Sequence, residues 1–330
     1  MLADGDCGSE SVTPTPLIEG GTSHLQQRGV ALAVLVWFLA AMSLLVAGIV
    51  YLARMDARLT RWQITQAQAT ALGDGAIQLA LADLLRDERA GETAGRGQWW
   101  RYYELNGAEV SIGITPVTGL IDINTAPEDL LFSLFAYVAD TGEENAKSLA
   151  LNVIKWRSPV GGEQDRREDA DGSGLLRHGR FEAVEDLLLV AGVDRAVFES
   201  VREAVYVAQQ GQGGVDWVSA PLSVIAALNE GNWPAARELI IKRAQDVERR
   251  WAAPAGLDLS HQQNGSLSLY RVDALIQLRD EHFLRRRWVD RQKRGSDGLP
   301  WSFFRSEPVR ALNEGQRENL VVLDYAASGV

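Results

Sequence analysis

Cysteine is almost missing from this chain: Cys7 is the only one in 330 residues. An internal disulfide is therefore excluded, and the absence of thiols after residue 29 fits either redox compartment. Histidine is nearly as rare. His24, His178, His261 and His282 are scattered and make no metal-ligand spacing. No nucleophile–base pair and no phosphate loop stands out, so the residues carry no enzymatic signature. Positive charge is in deficit. The formal net charge is −11, with −3 in residues 1–29 and −8 in the remainder. That balance opposes nucleic-acid binding, which draws on a basic face. No proline interrupts the stretch from Ala53 to Arg89.

What is present is one long apolar run. Val30 to Leu52 is 23 residues without a charged side chain. At ~1.5 Å per residue it reaches ~35 Å as a helix, enough for a bilayer core of ~30 Å. In lipid a helix satisfies its own backbone groups, so helix is the expected state. Residues 1–29 are rich in Gly, Ser, Thr and Pro and read as a leader or flexible tail. An ordinary secretory signal places its small-residue cleavage site after the apolar core. Here Gly29 stands before it, so a cut there would leave the helix attached. Gln27-Arg28-Gly29 followed by Val30 has the order of a type IV pilin-like leader; a plain signal anchor is the other reading. Arg28 on one side and Arg54, Arg58 and Arg61 on the other leave orientation open.

Beyond Leu52, Leu59, Trp62, Ala69, Leu72, Ala76, Leu79 and Leu84 recur at spacings near three and four, between polar residues. The pattern predicts an amphipathic helix to about residue 90, weakened at Gly73 and Gly75 by ~1 kcal/mol each. Glu104 to Val117 alternates around Val110, Ile112 and Ile114 as a strand. Ser266 to Ile276, Phe283 to Val289 and Trp301 to Arg305 add strands, with a turn at Gly295 to Gly298. These are expected to pair with the Glu104–Val117 strand, which makes the segment between them an insertion.

That segment opens with GLIDINTAPEDLLFSLF and repeats 94 residues later as GGVDWVSAPLSVIAAL. Gly119 matches Gly213, Asp122 matches Asp216, Thr125 matches Ser219, and Ala126-Pro127 matches Ala220-Pro221. Each phrase predicts a short extended piece and a helix, the first capped by Asn124 or Thr125 with Pro127 in its first turn. Helices are expected at Glu144–Trp156, Val184–Leu189 and Arg195–Val207, giving two related halves. The opening resembles a helix-hairpin-helix. The phosphate-cradling glycine pair is replaced by Tyr137 to Glu144, with one glycine and three acids, and by Gly231-Asn232-Trp233-Pro234. The acid-rich stretch 156–174 contains Glu163, Asp165, Glu168, Asp169 and Asp171, which are candidate oxygen ligands for calcium. EF-hand spacing is missing and Arg166 and Arg167 sit within the run, so a solvated polar loop is the alternative.

Taken in order, these features resemble the K-type minor pseudopilins of the bacterial type II secretion system. The carriers are the Arg28-Gly29-Val30 junction, GLIDINTAP, Ile154 to Pro159, Phe181 to Val193 and the VDWVSAP phrase. The resemblance implies a pilin-like α+β fold. Its parts would be a leader (1–29), a transmembrane helix (30–52) continuing to about 90, and a sheet domain from 98–118 and 262–310. Two SAM-like or helix-hairpin-helix-like units would fill 119–210 and 211–255. It further implies an inner-membrane protein with a periplasmic head. A prepilin peptidase would cut after Gly29 and methylate Val30. Its partners would be I- and J-type minor pseudopilins at the tip of a pseudopilus, with no required cofactor. Most pilin-like subunits carry a glutamate five residues into the mature helix; here Val34 stands there. A carboxylate in hydrocarbon costs ~2.5 kcal/mol or more and needs a partner. A subunit added first has none, so Val34 fits a tip position. A membrane-anchored DNA-binding protein of DNA uptake is the alternative reading, and a signal-anchored periplasmic protein with no pilin role is a third.

Overall fold

The computed structural model describes residues 24–90, 98–158, 179–208, 213–245, 253, 256–263, 268–313 and 315–316. The fold is α+β, with one long N-terminal helix, an antiparallel sheet and further helices. Contacts divide the chain into Met1–Gln63 and Ile64–Val330. The described part of the first unit is helix alone. Helix α1 spans His24–Ala90, so helix begins six residues ahead of the apolar run, inside the stretch expected as a tail.

In the second unit, α1 buries Ala69, Gly73, Ala76, Ile77, Ala80, Leu81 and Leu84. This is the three-and-four spacing of one helical face. The face is rotated from the expected one: Leu59, Trp62 and Leu79 are exposed, while Ile77 and Leu81 form its centre. Alanines and a glycine let the helix axis approach the sheet. A Cβ on Gly73 would lie 2.7 Å from Arg285 Cβ and 3.2 Å from Ile276 Cδ1, whereas one on Gly75 would meet nothing. Gly75→Ala is therefore expected to stabilise by roughly 0.5–1 kcal/mol. Gly73→Ala is expected to destabilise by about 1–3 kcal/mol, because crowding outweighs the helix gain. Thermal unfolding of the two variants checks the sign of each.

The sheet runs β1 (Trp99–Leu105), β2 (Ala108–Pro116), β5 (Leu269–Leu278), β6 (Glu281–Asp290), β7 (Ser302–Ser306), with β8 (Arg310–Ala311) also on β6. Every pairing in it is antiparallel. The single strand expected over Glu104–Val117 is a hairpin instead. Asn106 and Gly107 take φ of 52° and 73° between β1 and β2, the left-handed pair that a two-residue turn requires.

Strand residues alternate between two faces. Val110, Ile112, Ile114, Val272, Ala274 and Ile276 join the core under α1. The opposite face carries Thr115, Arg271, Asp273 and Arg286, all buried. This second face lies against the insertion between β2 and β5: Arg271 Nη1 donates to the Glu203 carbonyl at 2.7 Å.

The insertion holds β3 (Ile121–Asp122), α2 (Glu128–Ser133) with a wider π turn over Leu134–Val138, α3 (Glu143–Arg157) and a 3₁₀ segment, Val184–Leu189. Next come α4 (Arg195–Val201), β4 (Val205–Tyr206), α5 (Leu222–Leu228) and α6 (Trp233–Gln245). The helix expected to reach Val207 stops at Val201, and Val205 pairs in parallel with Ile121. One apolar core, centred on Leu131, Phe135, Val153, Leu187 and Ile225, holds both halves.

Candidate functional site

The first candidate is the processing junction. Gly29 lies in α1, and the helix continues through it without a break. Val30 and Val34 follow, one turn apart on a shared face, 66% and 59% exposed. Among the described residues, one helix is long and apolar enough to cross a membrane, by length and composition. Its apolar window is wholly unburied. Ser43 Oγ donates to the Leu39 carbonyl at 2.8 Å, so the hydroxyl is satisfied within the helix.

The second is the duplicated turn. Asp122 Oδ1 accepts from Asn124 N at 3.1 Å and Oδ2 accepts from Thr125 Oγ1 at 2.6 Å. Asp216 does the same with Val218 N at 3.2 Å and Ser219 Oγ at 2.9 Å. Asn124 and Thr125 thus bend the turn and do not cap α2; Pro127 occupies the cap position without a side-chain bond. Asn124 also ties the first half to Phe181 and Ala208.

Each turn is closed by a buried or half-buried arginine. Arg157 donates to the carbonyls of Ile123 and Ala126 at 2.8 and 2.5 Å. Arg243 donates to those of Trp217, Val218 and Ala220. Burial pushes both guanidinium groups down, opposed by Asp122 and Asp216 respectively. These arginines bond Ile123 and Trp217, and Ala126 and Ala220, at the same 94-residue offset as the repeated phrases. The arginines themselves stand 86 apart, so the spacing alone does not reveal them.

The third is a charge cluster between the insertion and the sheet. Arg286 Nε meets Asp273 Oδ1 at 2.5 Å, and Arg286 Nη2 meets Glu203. Arg310 Nη2 reaches the other Glu203 oxygen at 2.5 Å. Arg271 Nε is 2.9 Å from Asp273 Oδ2 but makes no hydrogen bond, so that attraction is coulombic. Burial works against the Arg286 charge, yet Asp273 and Glu203 hold its pKa well above the ordinary value. Arg271 is pushed down by its burial, with Asp273 opposing.

The duplicated turns face each other. A Cβ on Gly119 would overlap the Ser219 carbonyl and come within 2.7 Å of Ala220 N. A Cβ on Gly213, its repeat partner, would lie 3.0 Å from the Thr125 carbonyl oxygen, and the Gly213 N–H donates to Thr125 Oγ1. Before α3, Asp140 and Gly142 adopt positive φ and Glu143 and Glu144 occupy the first helical turn. That helix start is already supplied with negative charge.

Glu163, Asp165, Glu168, Asp169 and Asp171 lie outside the described residues. Among the described residues no group of three or more His, Cys, Asp or Glu side chains gathers around a point. Sequence reasoning missed Glu203, Arg286 and Arg310. The available signal was charge at alternate positions of a strand, as in Arg271-Val272-Asp273, which marks a face covered by something other than grease.

No protein-family model matches the chain, and no curated protein does. Among solved structures it is similar to a chain in the crystal structure of the GspK–GspI–GspJ complex from the enterotoxigenic Escherichia coli type 2 secretion system. The likeness has a TM-score of 0.49 at 14% sequence identity, over 77% of this chain and 99% of that one.

Proposed function

We propose that this chain is a minor pseudopilin of the K type, inserted in the bacterial inner membrane with its folded part in the periplasm. The observation that carries the reading is the unburied apolar segment Val30–Leu52, which runs unbroken into the helix lining the antiparallel sheet. Such a rod can serve first as a membrane anchor and then as the inner part of a fibre, because both surroundings accept apolar side chains and both leave the helical backbone satisfied. A prepilin peptidase would cut after Gly29 and methylate Val30. The role is structural, with I- and J-type minor pseudopilins as partners and export of folded periplasmic proteins as the outcome.

Two features support a place at the tip. Val34 leaves the helix without a membrane-embedded carboxylate, so this subunit needs no earlier neighbour to neutralise it. The insertion between β2 and β5 adds a second helical layer to the sheet, bulk that fits an end of a fibre better than its shaft.

Mass spectrometry of the protein extracted from a host with a working prepilin peptidase tests this. The expected chain begins at Val30 and carries one added methyl group on its amine. A chain that keeps residues 1–29, or is cut elsewhere, overturns the reading.

A further inference from the structure

A cavity of about 290 Å³ lies between the insertion and the sheet, at the small end of the range for ligand sites. Its walls combine two indoles, Trp100 of β1 and Trp233 of α6, with Leu222 of α5 and three arginines, Arg237, Arg271 and Arg310. The Trp100 wall is built in. Trp100 pairs with Gly113 across the hairpin, and its ring fills the space that a Cβ on Gly113 would need. The indole therefore lies on bare backbone.

Charge on the lining is decided by which groups are already answered. Glu203 is held by Arg286 and Arg310, Asp273 by Arg286 and Arg271, and Glu199 by Arg195 and Arg202. Arg286, Arg195 and Arg202 are not on the lining, so each acid facing the cavity has at least one cationic partner behind it, while Arg310 and Arg271 answer Glu203 and Asp273 from the lining itself. Two cationic groups retain donor capacity. Arg237 is exposed and makes no ion pair among the described residues. Arg271, 3% exposed, has an Nε without a hydrogen bond. The three acids and three arginines of the lining balance, the acids are already held in ion pairs, and Arg237 is the lining cation with no acid on it among the described residues. An indole-walled cavity with that open guanidinium favours a carboxylate with an apolar body.

We propose that this cavity binds an aromatic or branched aliphatic carboxylate. The apolar body would lie between Trp100 and Trp233, and the carboxylate would accept from Arg237. The C-terminal residue of a peptide and a free aryl-alkanoic acid share this chemistry. The site does not depend on the assembly role proposed above.

The test is calorimetric titration of the full chain in nonionic detergent micelles, with empty micelles as the blank. The probes are N-acetyl-phenylalanine, 3-phenylpropionate and the neutral N-acetyl-phenylalaninamide. Both carboxylates are expected to bind saturably, and the amide about tenfold or more weakly, the cost of losing a charge-assisted pair. Tighter binding of N-acetyl-phenylalanine identifies a peptide end as the source; tighter binding of 3-phenylpropionate identifies a free acid. Arg237→Gln, on an exposed position, is expected to keep the wild-type unfolding midpoint and to weaken both carboxylates about tenfold. Trp100→Ala should weaken all three probes. Absence of saturation, equal binding of amide and acid, or unchanged affinity in Arg237→Gln would overturn the proposal.

Discussion

Glu203→Gln is expected to lower the unfolding midpoint of the full chain sharply, at a cost of about 3 kcal/mol. The carboxylate answers Arg286 with one oxygen and Arg310 with the other. In glutamine one of those oxygens becomes an NH2 donor that faces a cation, and no negative charge is returned. Arg286, nearly fully buried, would then keep Asp273 as its remaining partner. Removing one member of a buried charge set costs more than the set contributes, because desolvated charges are left uncompensated. Glu238→Gln is the control. Its pair with Lys242 spans one turn of α6 with both side chains exposed, so its loss should leave the unfolding midpoint essentially unchanged.

The pH dependence has a definite sign. Burial alone would raise the Glu203 carboxyl, but Arg286, Arg271 and Arg310 overrule it and hold it well below the ordinary carboxylate range. A depressed folded value contributes stability that is complete above the unfolded value of ~4.3 and is lost as pH falls through the folded one. The gap between wild type and Glu203→Gln should thus stay constant from about pH 8 to about pH 5 and shrink only below ~4. A gap that closes between about pH 8 and 6 would mean that another group controls this junction.

Gly119→Ala should be comparably damaging, at about 3 kcal/mol or more. The added methyl would run into the backbone of Ser219 and Ala220, and backbone held by a bonded turn cannot swing aside as a long side chain can. That turn is fixed from three directions, by Asp216, by Ser219 and by Arg243. Gly213→Ala meets a milder obstacle: a φ of 52° and the Thr125 carbonyl at 3.0 Å. It is expected to cost about 1–2 kcal/mol. Denaturant melts of the two variants establish the order. If Gly213→Ala proved the worse, the two turns would not meet as described.

Local features of the chain were readable because their causes are local. The apolar run and the proline-free continuation specify one long helix, and β5, β6 and β7 follow from alternation and turn residues. The helix face is only partly legible: Ala69, Ala76 and Leu84 are buried as their spacing predicts, but Leu59, Trp62 and Leu79 are not, because closeness to the sheet favours small side chains over large ones. On α1 the buried face includes Ala69, Gly73, Ala76 and Ala80, and at Gly73 the sheet comes too close for a Cβ. The β1–β2 hairpin was missed although Asn106-Gly107 is a strong turn signal, because Trp99 to Leu105 mixes aromatic and charged residues on both faces. The charge cluster had no local cause. Glu203 lies 83 residues from Arg286 and 107 from Arg310, and only the return of β5 beside β2 brings them together. The repeat was visible in the phrases that share a spacing, while Arg157 and Arg243, set on helices of unequal approach, drifted out of register.

The sheet's unequal sides carry a consequence for how the polypeptide matures. Residues 117–268 separate β2 from its neighbour β5, so two strands adjacent in the sheet are completed far apart in time. A slab oily on both sides would invite clumping while that long excursion was still being sorted. Because the side awaiting the excursion is studded with ionic groups, an unfinished molecule would keep it wettable, and staying in solution would not require the insertion to have docked.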